Sequence, residues 1–326
     1  MGFIDKTCLN VCITADICNA IFPEHRDKRR WDQIMCSAIR LHETISPLLD
    51  DFANPPRMTW FVRADPMMRR IFTSETFLLE RHGAHFSRLR AAGHEIGWHP
   101  HLEFRNLKMD IEELPAIATR VRRYFPVTSV RIGEAFHSTG LMRLIANLGF
   151  TVDSTALPGR FNHQVKTPFD WRGAPECPYN PSQDDYRKAQ NQNGIRIVEV
   201  PFTMLPLSLP GDTPGPSARY MNLSYKRDLF SEACMAKYEW PTTIVAIVHP
   251  AELTPPAGHP DTHRILSFNE NEPVRNLKFL VNRLRSLGRK IRYCTLKEIP
   301  PMMESERIWT TFTKGDETER VRGWSA

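Results

Sequence analysis

Histidine and aspartate side chains follow three segments that are typical of buried strands. His99 and His101 come directly after the apolar run EIGW, His249 comes directly after TIVAIV, and Asp16 stands one residue beyond LNVCIT. The carboxyl ends of parallel strands gather at one edge of a sheet or barrel, where α/β proteins place ligands and catalytic groups. Neutral imidazole and carboxylate are ligands of Zn²⁺ and similar ions, so the pattern predicts a divalent metal site.

Each of these side chains, taken singly, has an ordinary structural explanation. A histidine at a strand end usually forms a loop hydrogen bond, Asp16 could cap a turn or helix, and Arg131 could form a surface ion pair. The nine other histidines are interpreted as ordinary loop residues. It is the joint occurrence of Asp16, His99, His101, Arg131 and His249 at strand ends that predicts a functional site.

The segments between these residues alternate between short apolar runs and amphipathic stretches. That alternation is typical of βα units and predicts an α/β fold with a parallel sheet. The predicted strands are residues 9–14, 58–64, 95–98, 129–132, 150–153, 195–200, 243–248 and 291–295. The predicted helices are residues 31–49, 73–92, 111–124, 138–148 and 269–287.

The domain organisation follows from where this alternation breaks down. We predict one domain over residues 1–312, interrupted by Pro-bearing loop insertions near residues 158–192 and 206–217. Loops of this length in a compact domain commonly line a binding site, so both are expected to shape specificity. The charged segment 313–326 is predicted to be a flexible tail.

Composition excludes several classes of protein. Hydrophobic residues at 41% and charged residues at 25% are ordinary for a globular chain, which excludes wholesale disorder and a coiled-coil rod. The 43 lysines and arginines against 37 acids give a formal charge of +6, but basic and acidic residues alternate along the chain. We therefore expect no nucleic-acid partner, while an anionic small substrate would suit this charge.

Compartment is predicted from the first residues and the cysteines. Residues 1–20 lack the apolar core of a secretory segment, and no stretch is long enough to cross a bilayer, which predicts a cytoplasmic protein without a transmembrane segment. Seven cysteines without CxxC spacing predict neither a disulfide framework nor a cysteine zinc site.

Several segments together resemble the polysaccharide deacetylase superfamily, the NodB-homology or carbohydrate esterase 4 fold. The similar segments are CITAD at 12–16, TWFV at 59–62, GHEIGWH at 93–99, VR at 130–131, LIANLGFTVDST at 144–155, VHP at 248–250 and RSLGRKIRYCTLKEI at 285–299. GHEIGWH is the most specific of them, and the resemblance covers most of residues 8–300. GWHPH, the loop at 170–185 and VEVPFTMLP at 198–206 resemble the WbmS-like branch, which is associated with O-antigen sugar biosynthesis.

The resemblance implies a distorted (β/α) barrel of about seven parallel strands with its site at the carboxyl ends of the strands. A divalent metal, with Zn²⁺ the leading candidate, would be held by Asp16, His99 and His101 and would polarise an N-acyl carbonyl. Asp16 would act as general base on the water or as a metal ligand. Arg131 would orient the Asp16 carboxylate, and His249 would protonate the departing amine.

Two positions depart from the family pattern. The family has two adjacent aspartates, whereas Ile17 follows Asp16 here. The family's histidine pair is spaced HxxxH, which would place the second ligand at Glu103, whereas a histidine stands at 101. Either His101 or Glu103 could therefore complete the site with His99, and we favour His101 because residues i and i+2 of a strand point the same way.

Three further residues are predicted to contact the substrate. Trp98 and Trp171 could stack on a sugar ring, although core packing explains each equally well. Glu134 is an additional carboxylate close to Arg131 in the sequence.

The leading prediction is a metal-dependent hydrolase that removes an N-acyl group, acetyl foremost, from an amino-sugar derivative in surface polysaccharide biosynthesis. Its small-molecule substrate would be a nucleotide-linked or lipid-linked precursor. The alternatives are a deformylase or cyclic-amide hydrolase of the same superfamily, a non-catalytic carbohydrate-binding relative, and a structural subunit of a biosynthetic complex. The oligomeric state is left open.

Overall fold

A curled parallel sheet with helices on its outer face forms the framework of the chain. The structure is a computed structural model and describes residues 8–18, 27–45, 57–103, 107–163, 167–190, 192–207, 218–253 and 265–305. The strands are β1 (Cys8–Ile17), β2 (Met58–Arg63), β3 (Glu95–His99), β4 (Ser129–Val130), β5 (Val152–Asp153), β6 (Phe161–Asn162), β7 (Phe169–Asp170), β8 (Val198–Glu199), β9 (Met204–Pro206), β10 (Ala218–Tyr220), β11 (Thr243–Val248) and β12 (Lys290–Tyr293). The helices are α1 (Lys28–Ile45), α2 (Pro66–Phe72), α3 (Phe77–Ala91), α4 (Leu107–Arg122), α5 (Thr139–Asn147), α6 (Arg227–Ala236) and α7 (Glu272–Ser286).

Parallel pairing connects seven strands of the described residues in the order β11-β1-β2-β3-β4-β5-β8. Strand β1 is central to this sheet, because β11 pairs along one of its edges. Its other edge is shared by β12, which pairs with the first half of β1, and β2, which pairs with the second half. The prediction of an α/β barrel of about seven parallel strands is thereby confirmed.

The two ends of the sheet approach each other through irregular segments. The Thr203 N–H donates to the carbonyl of Val245 at 3.3 Å, and the Val245 N–H donates to Thr203 Oγ1 at 2.9 Å. The Ile247 N–H donates to the Met221 carbonyl, and the Leu223 N–H donates to the Ile247 carbonyl, both at 2.9 Å. The outer edge of β11 is therefore satisfied by loop backbone and by one side chain.

Alternation along β1 places the polar residues inside the barrel. Every residue of β1 after Cys8 is buried, which fits a parallel strand covered on both faces. Ile13, Ala15 and Ile17 pack in the layer between sheet and helices, whereas Cys12 belongs to the cluster inside the barrel. Because side chains alternate along a strand, Asp16 shares the inward face with Cys12.

The predicted helix 73–92 corresponds to α3, which begins four residues later than predicted, and a helix that was not predicted, α2, precedes it. The Asp65 carboxylate accepts a hydrogen bond from the Met68 N–H at 2.9 Å with Pro66 at the first helical position, so α2 begins seven residues before the predicted start. Thr73 then adopts a left-handed conformation with φ of 67°, which ends α2.

Other elements differ from prediction in length or were not predicted. The strands β4, β5 and β8 contain two residues each, fewer than predicted. Helix α6 and the antiparallel pairs β6–β7 and β9–β10 were not predicted. Residues 208–217 of the second loop insertion and the predicted tail 313–326 lie outside the described residues. Among the described helices, none has the length and apolar character that crossing a bilayer requires.

Candidate active site

Asp16, His99 and His249 lie at the carboxyl ends of β1, β3 and β11, around a cavity of about 300 Å³. The His99 Nε2 and the His249 Nε2 each lie 3.8 Å from Asp16 Oδ2. Arg131, which follows β4, lines the same cavity. The structure thus brings together the carboxylate, the histidines and the arginine that the sequence placed at separate strand ends.

Arg131 is held by hydrogen bonds from all of its guanidinium nitrogens. Its Nη1 donates to Asp16 Oδ1 at 2.7 Å and to Thr14 Oγ1 at 2.9 Å. Its Nε and Nη2 donate to the carbonyl and the hydroxyl of Ser154 at 2.7 and 2.9 Å. A buried cation with four of its five N–H donors bonded is fixed in position beside the carboxylate.

The Arg131 guanidinium is also enclosed by two aromatic rings. It lies 4.3 Å from the ring centroid of Phe61 and 4.2 Å from that of Phe202, one on β2 and the other beyond β8. A cation between desolvated ring faces is stabilised by their quadrupoles. The rings also exclude water, which strengthens the pairing between Arg131 and Asp16.

The Asp16 carboxylate is 2% exposed and is ionised. Burial alone would raise its pKa, but the charges of Arg131, His99 and His249 outweigh that effect and hold the pKa below its usual value. Because Oδ1 pairs with Arg131, Oδ2 is the oxygen that faces the two histidines. The arrangement leaves one oxygen of a charged carboxylate available to the cavity.

His99 and His101 present two neutral imidazoles to each other. The His99 Nδ1 lies 2.8 Å from the Arg131 carbonyl, which assigns the proton to Nδ1 and leaves Nε2 with a lone pair. Burial lowers the pKa of His99 to about 4 and the pKa of His101 well below its ordinary value. The two Nε2 atoms are 3.0 Å apart, with the rings at 81°.

This pair fits a shared metal ion. With their Nε2 atoms 3.0 Å apart, the two imidazoles are close enough for both to hold one ion. The backbone partner of the His99 Nδ1 is the type of contact that orients ligating histidines. A third donor, Cys18, completes a set in which the three ligand atoms all lie within 4.8 Å of one another.

The close approach of His101 depends on a glycine. A Cβ at Gly133 would lie 2.4 Å from the His101 ring, so no other residue type leaves the ring in place. The Gly133 N–H donates to the Pro100 carbonyl at 2.8 Å, and the His101 N–H donates to the Asp65 carboxylate at 3.1 Å. The peptide between Pro100 and His101 is therefore held through both its carbonyl and its N–H.

Glu103, the alternative ligand, is not brought to His99. Its carboxylate forms an ion pair with Arg70 at 3.0 Å, and its N–H donates to Asp110 of α4 at 2.8 Å. These contacts turn the chain away from the cavity after His101. Of these two residues, His101 is the one whose ring lies beside His99, with 3.0 Å between the Nε2 atoms.

The two tryptophans lie in the core, because both indoles are fully buried and neither lines the cavity. Trp98 donates its Nε1–H to the Ala64 carbonyl at 2.8 Å, and it faces away from His99 because neighbouring strand residues alternate. Trp171 donates its Nε1–H to the Ala135 carbonyl at 2.8 Å. The structure therefore gives neither tryptophan a surface on which a sugar could stack.

Glu134 does line the cavity. Its side chain is half exposed, and its Oε1 lies 3.7 Å from the His101 Nδ1. Glu134 and Ala135 both have a left-handed backbone, with φ of 58° and 56°. Such conformations cost energy for residues other than glycine and are concentrated at functional sites.

His249 is supported by an acid that the sequence analysis missed. Its Nδ1 lies 3.3 Å from Glu252 Oε1, and Glu252 is 2% exposed and also accepts a hydrogen bond from Asn222. Burial alone would lower the pKa of His249, but Glu252 and Asp16 outweigh it and raise the pKa. The pKa of His249 is thus shifted in the opposite direction from the pKa values of His99 and His101. The signal in the sequence was an acid three residues after a strand-end histidine.

The first loop insertion contributes part of the cavity wall. Arg160, Asn162 and Phe169 from this insertion line the cavity, together with Phe202 and Tyr220. These aromatic side chains were not singled out from the sequence, because an isolated aromatic in a loop has no pattern that distinguishes a wall from a core.

Comparison with known proteins yields fold similarity and no sequence match. No family model and no curated protein matches this chain. A structure described as a "putative polysaccharide deacetylase" from Mycobacterium smegmatis aligns over 94% of this chain and 94% of its own, with a TM-score of 0.51 and 15% identity. A second structure with the same description and a role in O-antigen biosynthesis, WbmS from Bordetella bronchiseptica, covers 85% of this chain and 89% of its own, with a TM-score of 0.35 and 14% identity.

The first of these similarities shows a shared fold over nearly the whole chain. The distorted (β/α) barrel that the sequence motifs implied is therefore confirmed. The second superposition is too loose to add to that conclusion.

Proposed function

We propose that this chain, which shares the barrel fold of a structure described as a polysaccharide deacetylase, is a metal-dependent amide hydrolase that removes an N-acyl group, acetyl foremost, from an amino-sugar derivative. The observation that carries the proposal is that a candidate general base and a candidate general acid face each other at one cavity. Asp16 Oδ2 lies 3.8 Å from the His249 Nε2, and the pKa of Asp16 is lowered by Arg131 while the pKa of His249 is raised by Glu252. Pairs of titratable groups with opposed pKa shifts identify acid and base in hydrolytic sites.

His99 and His101 would hold the metal, since both are neutral and their Nε2 atoms converge. When bound, a divalent ion supplies Lewis-acid polarisation of the acyl carbonyl and eases deprotonation of the attacking water. The Arg131 carbonyl keeps the His99 lone pair directed into the cavity. Zn²⁺ is the leading candidate, because imidazole is among its preferred ligands.

Asp16 would act as the general base. Its Oδ1 is committed to Arg131, so Oδ2 is the atom that would accept a proton from the attacking water. The fixed guanidinium prevents rotation of the carboxylate, which keeps Oδ2 in one position through the reaction. As the water oxygen bonds to the acyl carbon, the proton moves to Asp16.

His249 would act as the general acid. Its Nε2 faces the cavity and Asp16, while its Nδ1 faces the buried Glu252. When the C–N bond breaks, Nε2 would donate its proton to the departing nitrogen, so that an amine leaves and a carboxylic acid remains. Glu252 would stabilise the protonated ring before that transfer.

The cavity suits a sugar that bears an amide. A volume of about 300 Å³ is at the lower end of small-molecule sites, which fits one acylamino sugar ring with the remainder of a larger precursor outside. Tyr220, Phe202 and Phe169 offer apolar surface, and Arg160 with Asn162 offers polar groups. A nucleotide-linked or lipid-linked precursor of a surface polysaccharide is the proposed substrate class.

The proposal is tested by metal content and product release. Purified protein is expected to hold about one divalent ion per chain by elemental analysis and to release acetate from nucleotide-linked N-acetyl amino sugars. His99→Ala should lose both, whereas His163→Ala, at an exposed histidine, should lose neither.

Other results would separate the alternatives. Release of formate from formamido sugars would favour the deformylase. Binding of the sugar without release of any acid would favour a carbohydrate-binding protein. A wild type that stays metal-free after incubation with zinc, cobalt and manganese would contradict the proposal.

A further inference from the structure

We propose that Cys18 is the third protein ligand of the metal, so that the site binds its ion through one thiolate and two imidazoles. The inference rests on the proposed function, which requires a metal at His99 and His101. The ligand atoms of Cys18, His99 and His101 all lie within 4.8 Å of one another, and the three residues are 3%, 3% and 7% exposed. Within the described residues this is the group of three donors that meets such a distance, and Asp16 does not belong to it.

The end of β1 explains how Cys18 reaches the histidines. Asp16 and Cys18 both line the cavity, whereas Ile17 between them packs in the layer between sheet and helices. The Cys18 N–H donates to the Asp16 carbonyl at 3.0 Å, so the chain turns tightly as the strand ends. Two successive inward positions therefore carry a carboxylate and a thiol.

The contacts of Asp16 assign the ligand role to Cys18. One Asp16 oxygen is bound to Arg131, and the other lies 3.8 Å from both the His99 Nε2 and the His249 Nε2. An oxygen shared between these two rings is placed to exchange a proton with groups on either side. The Cys18 thiol lies with the two neutral imidazoles, in a set whose three ligand atoms are all within 4.8 Å of one another. The two candidate roles of Asp16 are thereby separated, with Asp16 as base and Cys18 as ligand.

The donor set determines which ions the site would select. Thiolate is a soft ligand that favours Zn²⁺, Co²⁺ and Cd²⁺ over Mg²⁺ and Mn²⁺. Three protein ligands leave a coordination position open for water or substrate, as in catalytic zinc sites. We therefore expect Zn²⁺ or Co²⁺ to be retained, and Mn²⁺ to be displaced readily.

The test uses a variant without the two exposed thiols, Cys36→Ser with Cys177→Ser, so that adventitious binding at the surface is removed. Loaded with cobalt, this protein should hold about one ion per chain and show a near-ultraviolet thiolate-to-cobalt charge-transfer band. Loaded with zinc, it should show one sulfur at about 2.3 Å by X-ray absorption. Adding Cys18→Ser should abolish both signals and weaken zinc affinity more than about tenfold.

A second variant keeps the test decisive if Cys18→Ser does not fold. Cys18→Asp restores an anionic ligand, so it should retain cobalt while the charge-transfer band disappears. Should Cys18→Ser unfold, this variant and X-ray absorption of the parent protein still decide the question.

Failure of this inference is distinguishable from failure of the proposed function. One cobalt per chain without sulfur in its coordination shell would overturn the role of Cys18 and leave the metal-dependent hydrolase standing. A protein that retains neither cobalt nor zinc would overturn both.

Discussion

His101 occupies its position because residue 133 has no side chain. The His101 ring fills the space that a Cβ at Gly133 would occupy, with atoms as close as 2.4 Å. A single methyl group there would have to displace the ring, since the backbone on both sides is hydrogen-bonded. The distance between the two imidazole nitrogens is therefore controlled by the absence of a side chain at Gly133.

Gly133→Ala is expected to separate His101 from His99 and to weaken zinc binding by about 10- to 100-fold, while the barrel stays folded. The measurement is a competition titration with a chromophoric chelator. Gly140→Ala is the matched control, because its Cβ would meet no atom closer than 4.0 Å and alanine suits a helix. Equal zinc affinity in both variants would contradict the dependence of the site on Gly133.

Glu252→Gln is expected to lower kcat about 10- to 100-fold with little change in KM, because the proton on His249 loses its stabilising partner. Steady-state kinetics on an N-acyl amino-sugar substrate provide the measurement. Glu272→Gln, at a buried glutamate that does not line the cavity, should leave kcat unchanged. A similar loss in both variants would point to destabilisation instead of a role for Glu252 in proton transfer.

At the scale of elements, β2 and β3 begin beside a buried histidine pair. The His94 Nδ1 accepts a hydrogen bond from the Met58 N–H at 2.9 Å, and its Nε2 lies 3.0 Å from the His42 Nε2. Burial lowers the pKa of His94 to about 4 and also lowers the pKa of His42. Both rings are therefore neutral in the folded protein, and a proton on His94 Nδ1 would break the bond to β2.

Acid should consequently destabilise the protein through His94. The unfolded chain takes up the proton near pH 6.5, whereas the folded chain resists it down to about pH 4. The stability is thus complete above about pH 6.5 and falls by up to about 1.4 kcal/mol per pH unit as the pH decreases towards 4. Urea unfolding at pH 7, 6 and 5 should show a shallower decline in His94→Gln, and an unchanged decline in His163→Gln.

The sequence predicted long strands better than short ones. β1, β2, β3 and β11 were predicted within three residues at each end, because strands covered on both faces are continuous apolar runs. β4, β5 and β8 were predicted too long, since only two residues of each apolar run pair with neighbours. Pairing depends on where the partner strand lies in space, which the local apolar pattern does not give.

The site residues also divide into some that the sequence predicted and some that it did not. Four site residues were predicted because each lies at the end of an apolar run: Asp16, His99, Arg131 and His249. In a parallel barrel the carboxyl ends of the strands lie close together, so these residues meet at one site. Cys18 and Glu252 were not singled out. A lone cysteine has no distinguishing pattern, whereas Glu252 could have been found from its position three residues after His249.

At the scale of the whole molecule, Thr203 connects the two ends of the curled sheet. Its hydroxyl accepts the hydrogen bond of the Val245 N–H, which no strand partner satisfies on that edge. Thr203→Val would keep the volume but leave this buried donor unpaired, at a cost of about 1–3 kcal/mol in the free energy of unfolding.

Chemical denaturation would measure that loss, and amide hydrogen exchange would show faster exchange at Val245. Thr203→Ser retains the hydroxyl and should restore slow exchange. Fast exchange in both variants, or in neither, would show that the hydroxyl does not close the barrel.

The enclosure of Arg131 has an evolutionary consequence. Groups that serve catalysis commonly reduce stability, so a lineage that loses activity is free to replace them. Arg131 instead joins β1, the segment after β5 and two aromatic rings, so its replacement would also disrupt the centre of the barrel. Inactive descendants of this protein are therefore expected to keep the arginine. The presence of this arginine in a relative would therefore indicate an intact barrel. The presence of His249 together with Glu252 would be the better indication of catalytic activity.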